Sequence, residues 1–148
     1  MKKKSMLVSA CLLGTPCRYD GKSKPNKEVL ALSEKYNLIP VCPEVAGGLP
    51  TPRTPSEIVG ERVVMRDGRD VTENYLRGAK YALSVARENA CAAAILKARS
   101  PSCGKGQVYD GSFTGTLTDG DGIAAKLLAD AGIAVFSEEN IGELLTNV

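Results

Sequence analysis

Short apolar runs recur along the chain, and each ends abruptly in polar or turn-forming residues. They lie at residues 6–11, 38–42, 91–96 and 133–136. Continuous apolar runs of this length, bounded by turn residues, are typical of buried strands in a parallel sheet. Pro40 places the second strand's end close by, because proline cannot donate a hydrogen bond to the sheet ladder.

Between these runs, apolar residues recur at helical spacing. The pattern predicts helices over residues 26–35, 72–89 and 123–131, and a final helix that begins after residue 137. Asn26 is the predicted N-cap of the first helix, and Gly132 is the residue that ends the third. Ser137 is the predicted cap of the last. The chain therefore alternates strands and helices.

The remaining segments predict a hairpin and loops. Residues 57–66 hold two short β-prone runs around Gly60, which is the pattern of a β-hairpin. Residues 43–55 are rich in proline and glycine, so we expect a rigid, exposed loop without regular structure there. The glycine-rich residues 104–122 are also predicted to be mostly loop.

Strands separated by helices imply a parallel sheet with right-handed crossovers and helices on both faces. The sequence therefore predicts an α/β fold, a small Rossmann-like three-layer domain with a mainly parallel sheet and a β-hairpin insertion. A chain of 148 residues is close to the usual size of one domain. We expect residues 1–148 to form a single α/β domain.

Composition and charge narrow the class of protein. The chain is 43% hydrophobic and 24% charged, which is ordinary for a globular protein. No apolar segment approaches the length of a membrane span, and the opening residues lack the features of a signal peptide. The net charge of +2 is too small to indicate a nucleic-acid partner. We expect a cytoplasmic protein with a small-molecule substrate and no membrane partner, and the oligomeric state is left open.

The chain has five cysteines and no histidine. Because disulfides are rare in the cytoplasm, these cysteines favour metal-binding, cluster-binding or catalytic roles. The missing histidine removes the commonest metal ligand and the usual general base. Acid–base chemistry must therefore come from carboxylates, lysine, tyrosine or water.

Cys11 and Cys42 end apolar runs, and the loop of Cys103 follows another run. Each of the three is followed within three residues by glycine or proline. The carboxyl ends of parallel strands meet at one edge of a sheet, so these thiols are expected to converge there. Thiolates are ligands that both zinc and iron–sulfur clusters prefer, and three protein ligands leave one coordination position open. A zinc-binding or thiol-based module without turnover is the alternative to an enzyme.

The other two cysteines have different surroundings. Cys91 opens an alanine-rich strand and is predicted to be a small buried apolar residue. Cys17 follows Cys11 by six residues on the same loop. It could be a fourth ligand, a thiol beside the ligands, or a cap on the site at rest.

Several motifs together resemble a known family. They are SACLLG at 9–14, CRYDG at 17–21, VCPEVAGG at 41–48 with PTPR at 50–53, and SPSCG at 100–104. Over nearly its whole length the chain is similar to a family of small bacterial proteins long described as a domain of unknown function, some of which are thiouracil desulfidases. The resemblance implies a [4Fe-4S] cluster held by Cys11, Cys42 and Cys103, which an aerobically prepared sample can lack.

The resemblance also implies a reaction. The substrate's sulfur would bind the open fourth iron, and water would replace sulfur by oxygen in a thiolated pyrimidine or related thioamide. Glu44 is implied as the acid–base group, and Ser102 as a donor of a hydrogen bond or proton to the reacting base. Each also has a plain structural interpretation, since Glu44 could cap a local turn and Ser102 could be a turn residue.

Three further charged residues are candidates for binding the substrate. Arg18 and Asp20 could contact the substrate or form a pair that shapes their own loop. Arg53 lies among prolines, where an arginine without a partner would be unexpected.

Overall fold

The computed structural model describes residues 3–142. In chain order the strands are β1 (Lys4–Ser9), β2 (Tyr36–Val41), β3 (Ser56–Val59), β4 (Arg62–Met65), β5 (Ala93–Leu96), β6 (Gln107–Tyr109), β7 (Leu117–Asp119) and β8 (Ala134–Ser137). The helices are α1 (Lys27–Ala31), α2 (Pro43–Ala46), α3 (Thr72–Glu88) and α4 (Ile123–Asp130). The central sheet has the order β2-β1-β5-β8, and its neighbouring strands are all parallel.

Successive residues of β1 point to opposite faces of this sheet, as the twofold period of a strand requires. Met6 and Val8 pack in one cluster with Val29 of α1. Leu7 packs in a second cluster with Leu128 of α4 and Ala82 of α3. The predicted three-layer α/β fold with a mainly parallel sheet is confirmed.

The structure confirms one predicted hairpin and adds another. Strands β3 and β4 pair antiparallel around Gly60, as predicted. Strands β6 and β7 also pair antiparallel, although their segment was predicted to be mostly loop. Each has three residues and β7 is fully exposed, so neither leaves an apolar run in the sequence.

The segment 43–55 was predicted to lack regular structure, and this was wrong for its first four residues. They form helix α2 with Pro43 at its start. Proline suits the first turn of a helix because its missing N–H would have no partner there. The remainder of the segment contains no strand or helix.

Two other boundaries differ from the prediction. Asn26 caps α1 as predicted, since its Oδ1 accepts a hydrogen bond of 3.0 Å from Val29 N–H, but the helix gives way to a 3₁₀ turn at Leu32. The final helix was predicted to begin after Ser137, but Ser137 ends β8 and residues 138–140 are not helical. Only residues 141 and 142 of it are described and helical, and the rest lies outside the described residues.

Helices α2 and α3 touch through their backbones. A Cβ built on Gly78 would lie 1.8 Å from the Pro43 carbonyl oxygen, and one on Gly47 would lie 2.0 Å from that of Asn74. Only glycine allows such an approach. The contact fixes α2, and with it the residues on either side of Pro43, against α3, the longest helix among residues 3–142. Within residues 3–142, no helix has the length and apolar character needed to cross a bilayer.

Gly78→Ala should destabilise the protein by about 1–3 kcal/mol, because the added methyl would overpack a backbone contact. In a free helix the same substitution is stabilising by about 1 kcal/mol. The sign of the change in the free energy of unfolding therefore tests the contact. Urea unfolding followed by circular dichroism measures it. Ser84→Ala, on the exposed side of α3, is the control and should change stability by less than about 0.5 kcal/mol. A stabilised Gly78→Ala variant would contradict the close approach.

Candidate active site

A cleft of about 530 Å³ opens beyond the carboxyl ends of the central strands. Ser9 at the end of β1, Val41 at the end of β2 and Lys97 after β5 all line it. The Ser9 Oγ accepts a hydrogen bond of 2.9 Å from the Lys97 N–H, which joins two of these strand ends. The cleft thus lies where ligands bind in open α/β sheets.

Four cysteines line this cleft, namely Cys11, Cys17, Cys42 and Cys103. The Cys17 thiol lies within hydrogen-bonding reach of the Cys11 and Cys42 thiols, and the Cys42 Sγ lies 3.7 Å from the Cys17 carbonyl oxygen. Cys91 packs in the core on the α3 side of the sheet instead. The structure therefore brings together the three cysteines predicted as ligands and Cys17. Cys11 itself lies in a 3₁₀ turn after β1, and not within the strand as predicted.

The surroundings of these thiols favour their protonated form. Burial raises the pKa of Cys103 from its ordinary 9.0 to about 12, against the opposing effect of a hydrogen bond with Ser9. A hydrogen bond with Cys17, followed by burial, raises the pKa of Cys42. A hydrogen bond with Cys11 raises that of Cys17. A bound cationic group reverses this preference, because it stabilises thiolates.

Cys103 lies in a tight turn that the start of α4 supports. The Ser100 Oγ accepts hydrogen bonds of 3.1 Å from the N–H groups of both Ser102 and Cys103. The Ser102 carbonyl oxygen accepts from the Ala124 and Ala125 N–H groups, at 2.9 and 3.1 Å. These contacts fill the open donors of the first helical turn and fix the position of the Cys103 thiol.

The Ser102 side chain is buried, with 1% of its surface exposed. Its Oγ is the buried side-chain oxygen or nitrogen without a hydrogen-bond partner among the described residues. It still lies close enough to the Cys103 thiol to help lower that thiol's pKa. A buried hydroxyl without a partner costs free energy. Ser102 is not among the described residues that line the cleft, although its neighbours Pro101 and Cys103 are.

Glu44 and Arg53 form a buried ion pair. The Arg53 Nε donates to the Glu44 Oε1 at 3.0 Å, and the two side chains are 3% and 15% exposed. The Arg53 Nη2 donates to the Cys17 carbonyl at 2.9 Å, and its Nη1 donates to the Pro50 carbonyl and the Thr51 Oγ1, both at 3.1 Å. Every guanidinium nitrogen thus contacts the protein. Arg53 positions Glu44 and the cysteine loop, and its predicted contact with substrate stays a prediction.

Two further hydroxyls reach Glu44. The Ser100 Oγ lies 3.5 Å from the Glu44 Oε2. The Tyr75 hydroxyl lies within hydrogen-bonding reach of Glu44 and Ser56, and burial, with the Glu44 charge second, raises the pKa of Tyr75. Tyr75 has the helical spacing of an apolar helix face, and that spacing does not distinguish a core tyrosine from one whose hydroxyl reaches a cleft.

Arg18 and Asp20 form the pair that was one of two predictions for them, with 3.9 Å between nitrogen and oxygen. The Asp20 Oδ1 also accepts from the Lys22 N–H at 3.0 Å, which shapes a turn. Arg18 lines the cleft, whereas Asp20 is not among the described residues that line it. These contacts favour the structural interpretation for Asp20.

The two hairpins contribute lining residues that the sequence analysis missed. They include Glu57 on β3, Arg66 after β4, Tyr109 on β6 and Phe113 beyond it. Their segments gave signals for turns and strands but none for a site, because only the folded chain brings the hairpins to the cysteines.

Arg53→Met should destabilise the protein by about 3–5 kcal/mol, because it leaves the Glu44 carboxylate buried without its cation. Arg53→Lys should recover part of the loss, since it keeps the charge but not the fork of donors. Chemical unfolding of the cluster-free chain measures both. The control is Arg69→Met, which removes an exposed ion pair with Asp67 and should leave unfolding unchanged. Equal midpoints for Arg53→Met and the unmodified chain would contradict this role.

Comparison with known proteins agrees with the site. The model of the 2-thiouracil desulfurase family matches residues 6–140. The uncharacterised protein YbbK of Bacillus subtilis (strain 168) is 40% identical over 150 residues, which cover 95% of this chain and 99% of that protein. The solved structure of the [4Fe-4S]-dependent thiouracil desulfidase TudS is 47% identical, covers 97% of each chain and superposes with a TM-score of 0.90. The resemblance seen in the cysteine motifs is confirmed, and this chain belongs to the 2-thiouracil desulfurase family.

Proposed function

We propose that this protein is an iron–sulfur desulfidase that hydrolytically replaces sulfur by oxygen in a thiolated pyrimidine or a related small thioamide. The observation that carries the proposal is the meeting of four thiols with the Glu44 carboxylate in one cleft, with the buried Ser102 hydroxyl next to Cys103. The family match and the likeness to a [4Fe-4S]-dependent thiouracil desulfidase support it.

The donor set of the cleft fits an iron–sulfur cluster. Thiolates are the ligands of such clusters, and we assign Cys11, Cys42 and Cys103 to hold a [4Fe-4S] cluster. Cys17 contacts two of these thiols and is assigned as a thiol beside the ligands. Among residues 3–142, no group of three or more His, Cys, Asp or Glu side chains is arranged to hold a metal ion.

A cluster held by these cysteines would supply Lewis-acid chemistry for the soft thiocarbonyl sulfur of the substrate. Glu44 accepts a proton from the attacking water as general base. The Ser102 hydroxyl donates a hydrogen bond or a proton to the reacting pyrimidine ring. One water enters, hydrosulfide leaves with one of its protons, and the other proton passes from Glu44 to solvent, so the C=S group becomes C=O without net oxidation or reduction.

The contacts around Glu44 suit this role. Arg53 fixes one carboxylate oxygen and Ser100 lies near the other, so the carboxylate is held in one orientation before the substrate arrives. Orientation of a general base before reaction lowers the barrier, because the ordering entropy is lost in folding and not in the chemical step. Ser100 also shapes the turn of Ser102 and Cys103, so base, donor and ligand share one hydroxyl.

Anaerobic reconstitution with iron and sulfide should give a brown protein that releases hydrosulfide from thiouracil. Cys→Ser variants at 11, 42 or 103 should each lose iron and visible absorbance, because each removes a soft ligand. Cys91→Ser is the matched control and should keep full iron, and Cys17→Ser should keep most of it. Iron and acid-labile sulfide per chain are the measurements. Full clusters in all three ligand variants would overturn the assignment, and no hydrosulfide release would overturn the function.

Glu44→Gln should lower kcat by about 10²–10⁴-fold with the cluster intact, since it removes the general base but keeps the shape of the side chain. Ser102→Ala should lower kcat by roughly 10- to 100-fold, as expected for one lost hydrogen bond.

A second measurement separates catalysis from folding. In the cluster-free protein, Ser102→Ala should be neutral or stabilising by about 1 kcal/mol, because it removes a buried hydroxyl without a partner. Steady-state kinetics and urea unfolding give both values. A Ser102→Ala variant that loses stability while keeping kcat would assign the hydroxyl to the fold and not to the reaction.

A further inference from the structure

Phe113 has an unusual backbone for a bulky residue. It lies in the loop 110–116 between β6 and β7, with φ at +57°, in the left-handed region that favours glycine. Such a conformation persists only where the surrounding structure holds it, and it clusters at functional sites. The Phe113 side chain lines the cleft that contains the thiols.

A buried carboxylate holds this loop. Glu57 is 8% exposed, and its Oε1 accepts hydrogen bonds from the N–H groups of Gly111 and Phe113, at 2.9 and 3.1 Å. A Cβ built on Gly111 would lie 2.7 Å from the Ile58 carbonyl oxygen, so the loop rests directly on β3. Glu57 therefore ties one hairpin to the other and fixes the strained backbone of Phe113.

The phenyl ring is also oriented from its side of the loop. The Arg66 guanidinium carbon lies 5.8 Å from the ring centroid, which is the distance of a cation–π contact. Arg66 covers one face of the ring, so the other face is what Phe113 can offer to a ligand in the cleft. A fixed aromatic face beside a reaction site suits the π face of a planar ring.

We propose that Phe113 is a specificity-determining residue that stacks on the planar ring of the substrate, and that Glu57 is the positioning residue that holds it there. The inference rests on the proposed function for the chemistry of the ligand, a thiolated heterocycle. It deepens that function, because the stacked face selects planar heteroaromatic thiones over open-chain thioamides.

Binding of uracil, the unreactive oxygen counterpart of thiouracil, to the anaerobically reconstituted protein tests the contact by calorimetry. Phe113→Leu should weaken binding by about five- to a hundredfold, since base–aromatic stacking is worth that much. Phe113→Tyr keeps the ring and should bind within about threefold of the unmodified protein. Tyr81→Leu is the control, since Tyr81 is an exposed tyrosine of α3 that does not line the cleft, and it should change nothing.

A double-mutant cycle tests Glu57. Glu57→Ala should weaken uracil binding in the unmodified chain, and Glu57→Gln should restore most of it, because the amide oxygen still accepts both N–H groups. In the Phe113→Leu background, Glu57→Ala should have no further effect on binding. A purely structural role would weaken binding equally in both backgrounds and would overturn the positioning role.

Uracil binding that is absent from the unmodified protein, or unchanged in Phe113→Leu, overturns the stacking proposal. Hydrosulfide release from thiouracil is measured on the same samples. Release without ring binding leaves the proposed function in place and removes this inference. Ring binding that depends on Phe113, without any release, retains the stacking contact and removes the function.

Discussion

The buried ion pair between Arg53 and Glu44 is the interaction on which the site depends. A guanidinium and a carboxylate that leave water must find each other and further hydrogen bonds, or the loss of hydration is not recovered. Arg53 meets this requirement with bonds to Glu44, to the carbonyl of Cys17 and to its own loop. Two segments that are distant in sequence, the loop of Cys17 and residues 43–55, are therefore held at one point by a single planar group.

The position of Glu44 is also fixed by a contact between α2 and α3. Glu44 and Cys42 flank Pro43, whose carbonyl oxygen contacts α3 where residue 78 is glycine. The position of the carboxylate is thus set by a backbone contact, and its orientation by a side-chain pair. A site built in this way is rigid without any disulfide, and all five cysteines are free thiols. The thiols remain available for ligand chemistry because stability comes from other contacts.

Much of the fold follows from patterns that are local in the sequence. Apolar runs predict the four parallel strands, and cysteines in or just after such runs predict a cluster of thiols at one edge, because strand direction alone brings those ends together. The hairpin around Gly60 follows from its turn and flanking strands. Features that rest on contacts between distant residues could not be predicted. Helix α2 forms in a proline-rich segment because Gly47 and Gly78 allow it to dock, and no local pattern shows a docking partner.

The residues of the cleft also divide into those that a local pattern indicates and those that only contacts between distant segments bring together. Cys42 was found because it ends an apolar run, and Glu44 was found because its motif resembles a family. Tyr75 was not, since its helical position is that of any core residue. Glu57 and Phe113 were missed because each hairpin is unremarkable alone and gains a role only when Glu57 reaches the loop of the other. The sequence contains the Glu57 carboxylate and the Phe113 ring, but it does not show that this carboxylate accepts a hydrogen bond from the Phe113 N–H.

The Ser100 hydroxyl limits which substitutions the site can accept. It accepts from the N–H groups of Ser102 and Cys103, so its single proton is left to point toward the Glu44 Oε2, 56 residues away in sequence. A substitution at residue 100 would disturb the ligand turn and the base together, and repair of one would not repair the other. Because the ligand turn and the Glu44 carboxylate share this hydroxyl, a variant that changes one of them also disturbs the other. Substitutions that adapt only one half of the site therefore leave the other half disturbed.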